Sequence, residues 1–137
     1  MSKACTTIAI VAVAAMAALA PAAAQQYPAR PITLVVPLPP GGTNDIMARL
    51  VGERMSKALG QQIVVENRAA GGSGTVATRQ VARATPDGYT ILLGYTSTLA
   101  TGPSMYKNAG YDPRKDFAPI GLIAASPSLV LSNKDVP

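Results

Sequence analysis

The sequence contains no histidine and no tryptophan, has a single cysteine, and draws only 4% of its residues from the aromatic types. Without histidine, neither a Ser-His-Asp nor a Cys-His nucleophile can be assembled. The seven acidic residues are spread singly, and no cluster has the spacing of metal ligands. These absences favour binding without chemistry, so we expect no enzyme activity, no metal site and no cofactor.

The one cysteine, Cys5, lies in an N-terminal segment that has the pattern of an export signal. Residues 1–3 supply a short basic start, residues 8–19 form an apolar run, and small residues follow Pro21. The run is too short to cross a bilayer as a helix, which is typical of a Sec-type signal peptide. We predict a signal over residues 1–24 and a mature chain that begins at Gln25, with cleavage after Ala22 as the weaker choice. Because Cys5 leaves with the signal, the exported part has no disulfide.

The charge balance is mildly basic, with 12 lysines and arginines against seven acids. The basic residues are scattered and have almost no aromatic neighbours, whereas a nucleic-acid surface needs a clustered cationic face and stacking rings. We therefore expect no nucleic-acid partner. A mild positive field would attract small anions, and ordinary surface charge for solubility is the alternative explanation.

Apolar patterning predicts alternating strands and helices. β-branched or aromatic runs indicate strands at residues 32–36, 63–65 and 89–94, and two further strands are predicted at residues 120–125 and 128–131. Helical spacing predicts a helix whose apolar face carries Ile46, Met47, Leu50, Val51, Met55 and Leu59 and which Gly60 ends, and a shorter helix over residues 76–84. The order strand, helix, strand, helix, strand predicts an α/β fold with a mostly parallel sheet flanked by helices.

Two glycine-rich turns, PLPPGGTND at residues 37–45 and RAAGGSGT at residues 68–75, each follow a predicted strand and open a predicted helix. Free backbone N–H groups at a helix start bind anions, and glycine lets a ligand approach them closely. The turns and the hydroxyl-rich residues 95–98 lie at the carboxyl ends of the strands, where parallel sheets bind ligands. Together with the export signal, this pattern predicts a receptor for a small acidic molecule.

Each of these features has a plainer explanation. Gly72, Gly74 and Ala77 match the dinucleotide fingerprint formally, but the next strand does not end in the acid that would hold a ribose, so a tight, close-packed turn is favoured. Asp45 and Arg49 are most simply an exposed ion pair four residues apart on a helix. The hydroxyls of Ser97 and Thr98 are either ligand donors or partners of the loop backbone, and the sequence does not separate the two.

The motifs PxxxGGxxDxxAR, VENR, PDGYT and YDPxKDF occur in this order between Tyr27 and Pro137. Together they resemble the amino-terminal half of the substrate-binding proteins of tripartite tricarboxylate transporters, the Bug-type extracytoplasmic solute receptors. The resemblance implies lobe one of a two-lobed, class II periplasmic binding protein. Such a receptor closes over a small di- or tricarboxylate, or a similar solute, and delivers it to the membrane permease subunits of the transporter.

Matching the motifs by position implies a set of site residues. The implied ligand contacts are Leu38, Gly41, Gly42, Thr43, Asn44, Ser97 and Thr98, and the implied border of the pocket is Gly72, Ser73 and Gly74. The family commonly has an aromatic ring just after the first-strand proline, where this chain has Leu38. This difference weakens the case for an aromatic solute stacked at that position.

The family's chains are about twice as long as this one, since two lobes are needed to enclose a ligand. The resemblance therefore assigns residues 25–137 to an incomplete first lobe, with the second lobe absent. Two other functions stay open at this stage. One is a sensor or interaction protein that presents a ligand-dependent surface to a membrane partner, and the other, less favoured, is a nucleotide-binding enzyme.

Overall fold

The computed structural model describes residues 26–70, 72–127 and 131–132. The predicted export signal and its cleavage site lie outside these residues, as does most of the predicted strand at residues 128–131. The elements are β1 (Ile32–Val36), α1 (Thr43–Leu59), β2 (Ile63–Asn67), a 3₁₀ helix (Gly72–Gly74), α2 (Thr75–Ala82), β3 (Thr90–Leu92), a π-helical turn (Ser97–Thr101) and α3 (Gly102–Met105).

The three strands form one parallel sheet in the order β2-β1-β3, with Thr33 opposite both Val64 and Thr90. The central strand β1 is buried on both faces, which explains its unbroken apolar sequence. Ile32 and its neighbours at every second position pack in one cluster with Ala48 of α1, whereas Val35 packs on the opposite face with Ala77 and Val81 of α2. The predicted α/β fold with a mostly parallel sheet and flanking helices is thus confirmed.

Helix α1 packs on a face that is shifted from the one that its large apolar residues predict. Ile46, Leu50 and Leu59 are exposed, whereas Met47, Val51 and Met55 are half-buried and Met55 packs against the core cluster. The residues that the helix buries fully are Asp45, Ala48 and Gly52. A Cβ on Gly52 would lie 3.3 Å from a methyl group of Ile63. Small residues on this face therefore allow α1 to pack closely against β2. Gly60 ends the helix in the left-handed conformation, as predicted.

The predicted strand at residues 120–125 does not form. Residues 117–127 have no regular secondary structure, and Ile120 and Leu122 are 81% and 86% exposed. A β-branched run becomes a strand only where a neighbour accepts its backbone hydrogen bonds, and no described strand pairs with this segment. The prediction from local composition was therefore wrong here.

We expect these exposed apolar side chains to drive self-association. Replacing Ile120 and Leu122 together with glutamate should reduce the concentration-dependent rise in sedimentation coefficient that we expect of the wild-type chain, because exposed contiguous apolar surface associates in water. The control is Ile46→Glu, which removes one exposed apolar side chain from α1 and should reduce association less than the double variant does. Equal association of the double variant and the wild type would contradict this prediction.

Candidate functional site

Three loops lie at the edge of the sheet where the parallel strands end. The first loop is residues 37–42, after β1, and the second is residues 68–74, of which residue 71 is not described. The third is residues 93–98, which follow β3 and include the start of the π-helical turn. Because parallel strands bring their carboxyl ends to one edge, the three segments that the sequence singled out are neighbours in the fold.

The first loop presents an open, uncapped helix start. Gly41 has a positive φ of 86°, Gly42 is extended, and a Cβ on either would meet no atom within 4 Å. No side chain caps α1, and its first intrahelical hydrogen bond runs from the Ile46 amide to the Gly42 carbonyl, at 3.1 Å. The amides of Thr43 and Asn44 precede that bond, so the helix leaves them as donors at its positive end.

Asp45 is buried, contrary to the exposed ion pair that the sequence predicted. It is only 5% exposed because it lies on the face of α1 that packs against the sheet. Its Oδ2 accepts hydrogen bonds from the Gly41 amide at 2.9 Å and from Nε of Arg49 at 3.2 Å. Its Oδ1 lies 3.0 Å from Nη2 of Arg49 outside hydrogen-bond geometry, so this oxygen is paired by charge.

This environment keeps Asp45 ionised. The hydrogen bond from Arg49 and then the hydrogen bond from the Gly41 amide lower the pKa of Asp45, and together they outweigh the opposing effect of desolvation. One consequence concerns the predicted ligand contacts. The Gly41 amide is already occupied by Asp45, so the donors that face outward are those that follow it.

Asn67, the last residue of β2, was not singled out as a site residue. Its Nδ2 donates to the Leu38 carbonyl at 3.2 Å, and its Oδ1 accepts from Nη2 of Arg49 at 3.2 Å. The only signal in the sequence was its place in the motif VENR, directly after a predicted strand. The Leu38 side chain packs against the core cluster on the α1 face of the sheet, so this predicted contact residue is partly turned inward.

The second loop is a tight turn of left-handed residues that packs against the first loop. Gly72, Ser73 and Gly74 all have positive φ, and a Cβ on Gly74 would come within 2.9 Å of the Pro37 Cβ. The close-packed turn, which the sequence favoured over a dinucleotide fingerprint, describes this geometry. Of the predicted border residues, Gly74 therefore touches the first loop, and it does so through its backbone.

The third loop bonds the Thr98 hydroxyl to its own backbone. Thr98 is fully buried; its Oγ1 accepts from the Tyr95 amide at 3.2 Å and donates to the Tyr95 carbonyl at 3.0 Å. For Thr98, the structure thus has the hydroxyl bonded to the loop backbone. Ser97 is half-buried at the start of the π-helical turn, a local geometry that is frequent at functional sites.

Tyr95 joins the third loop to the second. Its hydroxyl donates to the Ser73 carbonyl at 2.8 Å, and burial raises the pKa of Tyr95, so the phenol stays a neutral donor at physiological pH. With Gly74 against Pro37, the second loop contacts each of the others. Among the described residues, no hydrogen bond links the first loop directly to the third.

A groove of about 600 Å³ lies elsewhere, lined by residues of the π-helical turn and α3 and by residues 112–115. None of the predicted site residues lines it. Over the described ranges, no three histidine, cysteine or acidic side chains are grouped to hold a metal ion. Nor does any helix in that part of the chain have the length and apolar character needed to cross a membrane.

Comparison with known proteins identifies relatives for this arrangement. Residues 47–137 match the family model of the tripartite tricarboxylate transporter family receptor. A UPF0065 protein encoded in the TAR-I ttuE-ttuC' intergenic region of Agrobacterium vitis is 44% identical over 114 residues, which are 83% of this chain and 32% of that protein.

Solved structures give the same result. The periplasmic binding protein BugD is 52% identical with a TM-score of 0.65, over 69% of this chain and 31% of BugD. MatC from Rhodopseudomonas palustris, solved with bound malate, is 41% identical with a TM-score of 0.68, over 71% of this chain and 33% of MatC. The chain therefore spans about a third of the length of the relatives it matches. It belongs to the tripartite tricarboxylate transporter receptor family.

Proposed function

We propose that this chain is the first-lobe part of an exported receptor that captures a small carboxylate and delivers it to the permease of a tripartite tricarboxylate transporter. One observation carries the proposal. The start of α1 is uncapped and lies behind two glycines with open space around them, at the edge of the sheet where the three loops meet. A helix start of this kind binds a carboxylate through backbone amides and the helix dipole.

The proposed contacts follow from which donors are free to face a solute. They are the amides of Gly42, Thr43 and Asn44, the Thr43 hydroxyl, and Ser97 of the π-helical turn. Gly41 contributes its conformation, since its amide is bonded to Asp45. The other predicted site residues then have a structural role, which is to hold the loops in place; they are Leu38, Thr98 and the Gly72–Gly74 turn. The malate in the related MatC supports a dicarboxylate as the solute class.

The remaining parts of the proposal rest on family membership. In a two-lobed receptor, the solute is enclosed between the lobes, so this chain would supply one wall of the site. The related solved structure of BugD is that of a periplasmic binding protein, which supports export to the periplasm by the predicted signal. A membrane permease is the partner that the family name implies.

Titration with malate, followed by amide chemical shifts in NMR, tests this proposal. We expect the amides of Thr43, Asn44 and Ser97 to shift with a dissociation constant of about 1 mM, because a single wall leaves the far side of the solute in water. The uncharged diamide of malate is the matched control ligand and should produce no such shifts. Shifts confined to the groove at residues 112–115, or none at all, would contradict the proposed site.

A further inference from the structure

A closed ring of polar contacts fixes both ends of residues 38–41 in the first loop. At one end, Asn67 donates to the Leu38 carbonyl; at the other, the Gly41 amide donates to Asp45. Arg49 closes the ring because its guanidinium bonds to Asp45 and to Asn67 at the same time. The planar, forked guanidinium suits this double contact, which a lysine ammonium on its flexible stem holds less rigidly.

The ring places a buried negative charge inside the first turn of α1, beside the proposed anion donors. Asp45 is the third residue of the helix, and Thr43 and Asn44 immediately precede it. An ionised carboxylate there stabilises the helix start but repels a solute carboxylate approaching the same amides. Arg49 is the cation that contacts Asp45, and it reaches the carboxylate from one turn further along the helix.

We propose that Arg49 is a positioning residue for carboxylate capture, which neutralises Asp45 so that Asp45 can hold the Gly41 amide without repelling the solute, while Asn67 fixes the other end of the loop. This inference rests on the proposed function. It gives roles to the DxxAR and ENR parts of the sequence motifs, for which the proposed solute contacts have no use. It also makes a prediction about sign that a purely structural ion pair does not make.

A structural ion pair between residues four apart would weaken binding, if at all, whichever partner is removed. Charge neutralisation predicts opposite effects. Asp45→Asn keeps a side-chain oxygen for the Gly41 amide and leaves Arg49 unopposed, so malate should bind more tightly. Arg49→Gln leaves the carboxylate unopposed, so malate should bind more weakly. The double variant removes both charges and should return close to the wild-type affinity.

The experiment measures malate affinity at pH 7 by amide chemical shifts in the whole chain and the three variants. We expect Asp45→Asn to tighten binding and Arg49→Gln to weaken it by about fivefold each, with the double variant within about twofold of wild type. Arg54→Gln is the matched control, because it removes an exposed cation from the same helix and should change affinity less than twofold. Circular dichroism establishes that each variant is folded.

The outcomes are distinct. Weaker binding by Asp45→Asn overturns the inference even if Arg49→Gln fails to fold, since the predicted sign is reversed. Unchanged affinity in a folded Arg49→Gln variant overturns it as well. If the wild type itself shows no malate-dependent shifts, the proposed function fails. In that case a ¹³C titration of the Asp45 carboxyl still decides on the ion pair, because its pKa should be higher in Arg49→Gln than in the wild type, and an unchanged pKa contradicts neutralisation by Arg49.

Discussion

Replacing Gly74 with alanine is expected to lower the free energy of unfolding by about 3 kcal/mol or more, from a strained backbone and an overpacked contact together. Gly74 has a φ of 82°, which an alanine adopts only with strain. Its Cβ would also press on the carbonyl oxygen of Pro37 and lie 2.9 Å from the Pro37 Cβ. The clash falls on backbone at the end of β1, which cannot move without disturbing the central strand.

Gly60→Ala separates the two contributions. Gly60 also has a positive φ, of 67°, but a Cβ there would meet nothing within 4 Å. This variant should therefore cost only the backbone term, about 1 kcal/mol. Chemical denaturation of the two variants beside the wild type gives both values. An equal decrease in the free energy of unfolding of the two variants would show that the contact between Gly74 and Pro37 relaxes freely. The second loop would then not stabilise the position of the first.

Much of the fold was predictable because it depends on local chemistry. The strand at residues 32–36 and the end of α1 at Gly60 are where the apolar run and the glycine placed them. The turn at residues 86–88 is equally local, since Gly88 has a positive φ and Asp87 accepts a hydrogen bond from the Tyr89 amide two residues on. Features of this kind are decided within a few residues along the chain.

Other features were missed because they depend on residues far apart in the sequence. The sequence predicts Asp45 as an exposed acid on a helix. In the structure it is buried, because the helix packs against the sheet with the face that carries Asp45 and the small residues Ala48 and Gly52. The role of Asn67 requires Leu38, 29 residues earlier, to end up beside it. The segment at residues 120–125 has the composition of a strand, but composition does not supply the neighbouring strand that it needs.

The candidate site shows the same division. The sequence placed the glycine turns and residues 95–98 at one edge of a parallel sheet, and the three loops do lie there. It could not decide what the Thr98 hydroxyl bonds to, because a buried hydroxyl and one that faces a solute occur in similar hydroxyl-rich segments. The burial of Thr98 follows from the π-helical turn, which no pattern in the sequence indicated.

Substitutions at the adjacent residues Ser97 and Thr98 should therefore affect different properties. Changing Thr98 should lower the stability of the protein, whereas changing Ser97 should lower its affinity for malate. Thr98→Val keeps the shape of the side chain but removes the hydroxyl that both accepts from the Tyr95 amide and donates to the Tyr95 carbonyl. The carbonyl retains the amides of Thr98 and Leu99 as donors, whereas the Tyr95 amide loses its partner. We expect a loss of about 1 kcal/mol in the free energy of unfolding, the lower end of the cost of an unpaired donor, because this hydrogen bond is only partly buried.

Ser97→Ala removes a half-buried hydroxyl to which the described structure assigns no hydrogen bond, so its unfolding free energy should stay within about 0.5 kcal/mol of wild type. Its effect should appear instead in malate affinity, as the loss of a solute contact. Denaturation and malate titration of both variants make the comparison complete. A Thr98→Val protein as stable as the wild type would mean that the Tyr95 amide finds another partner. The third loop would then be held by the bond from Tyr95 to Ser73 rather than by the Thr98 hydroxyl.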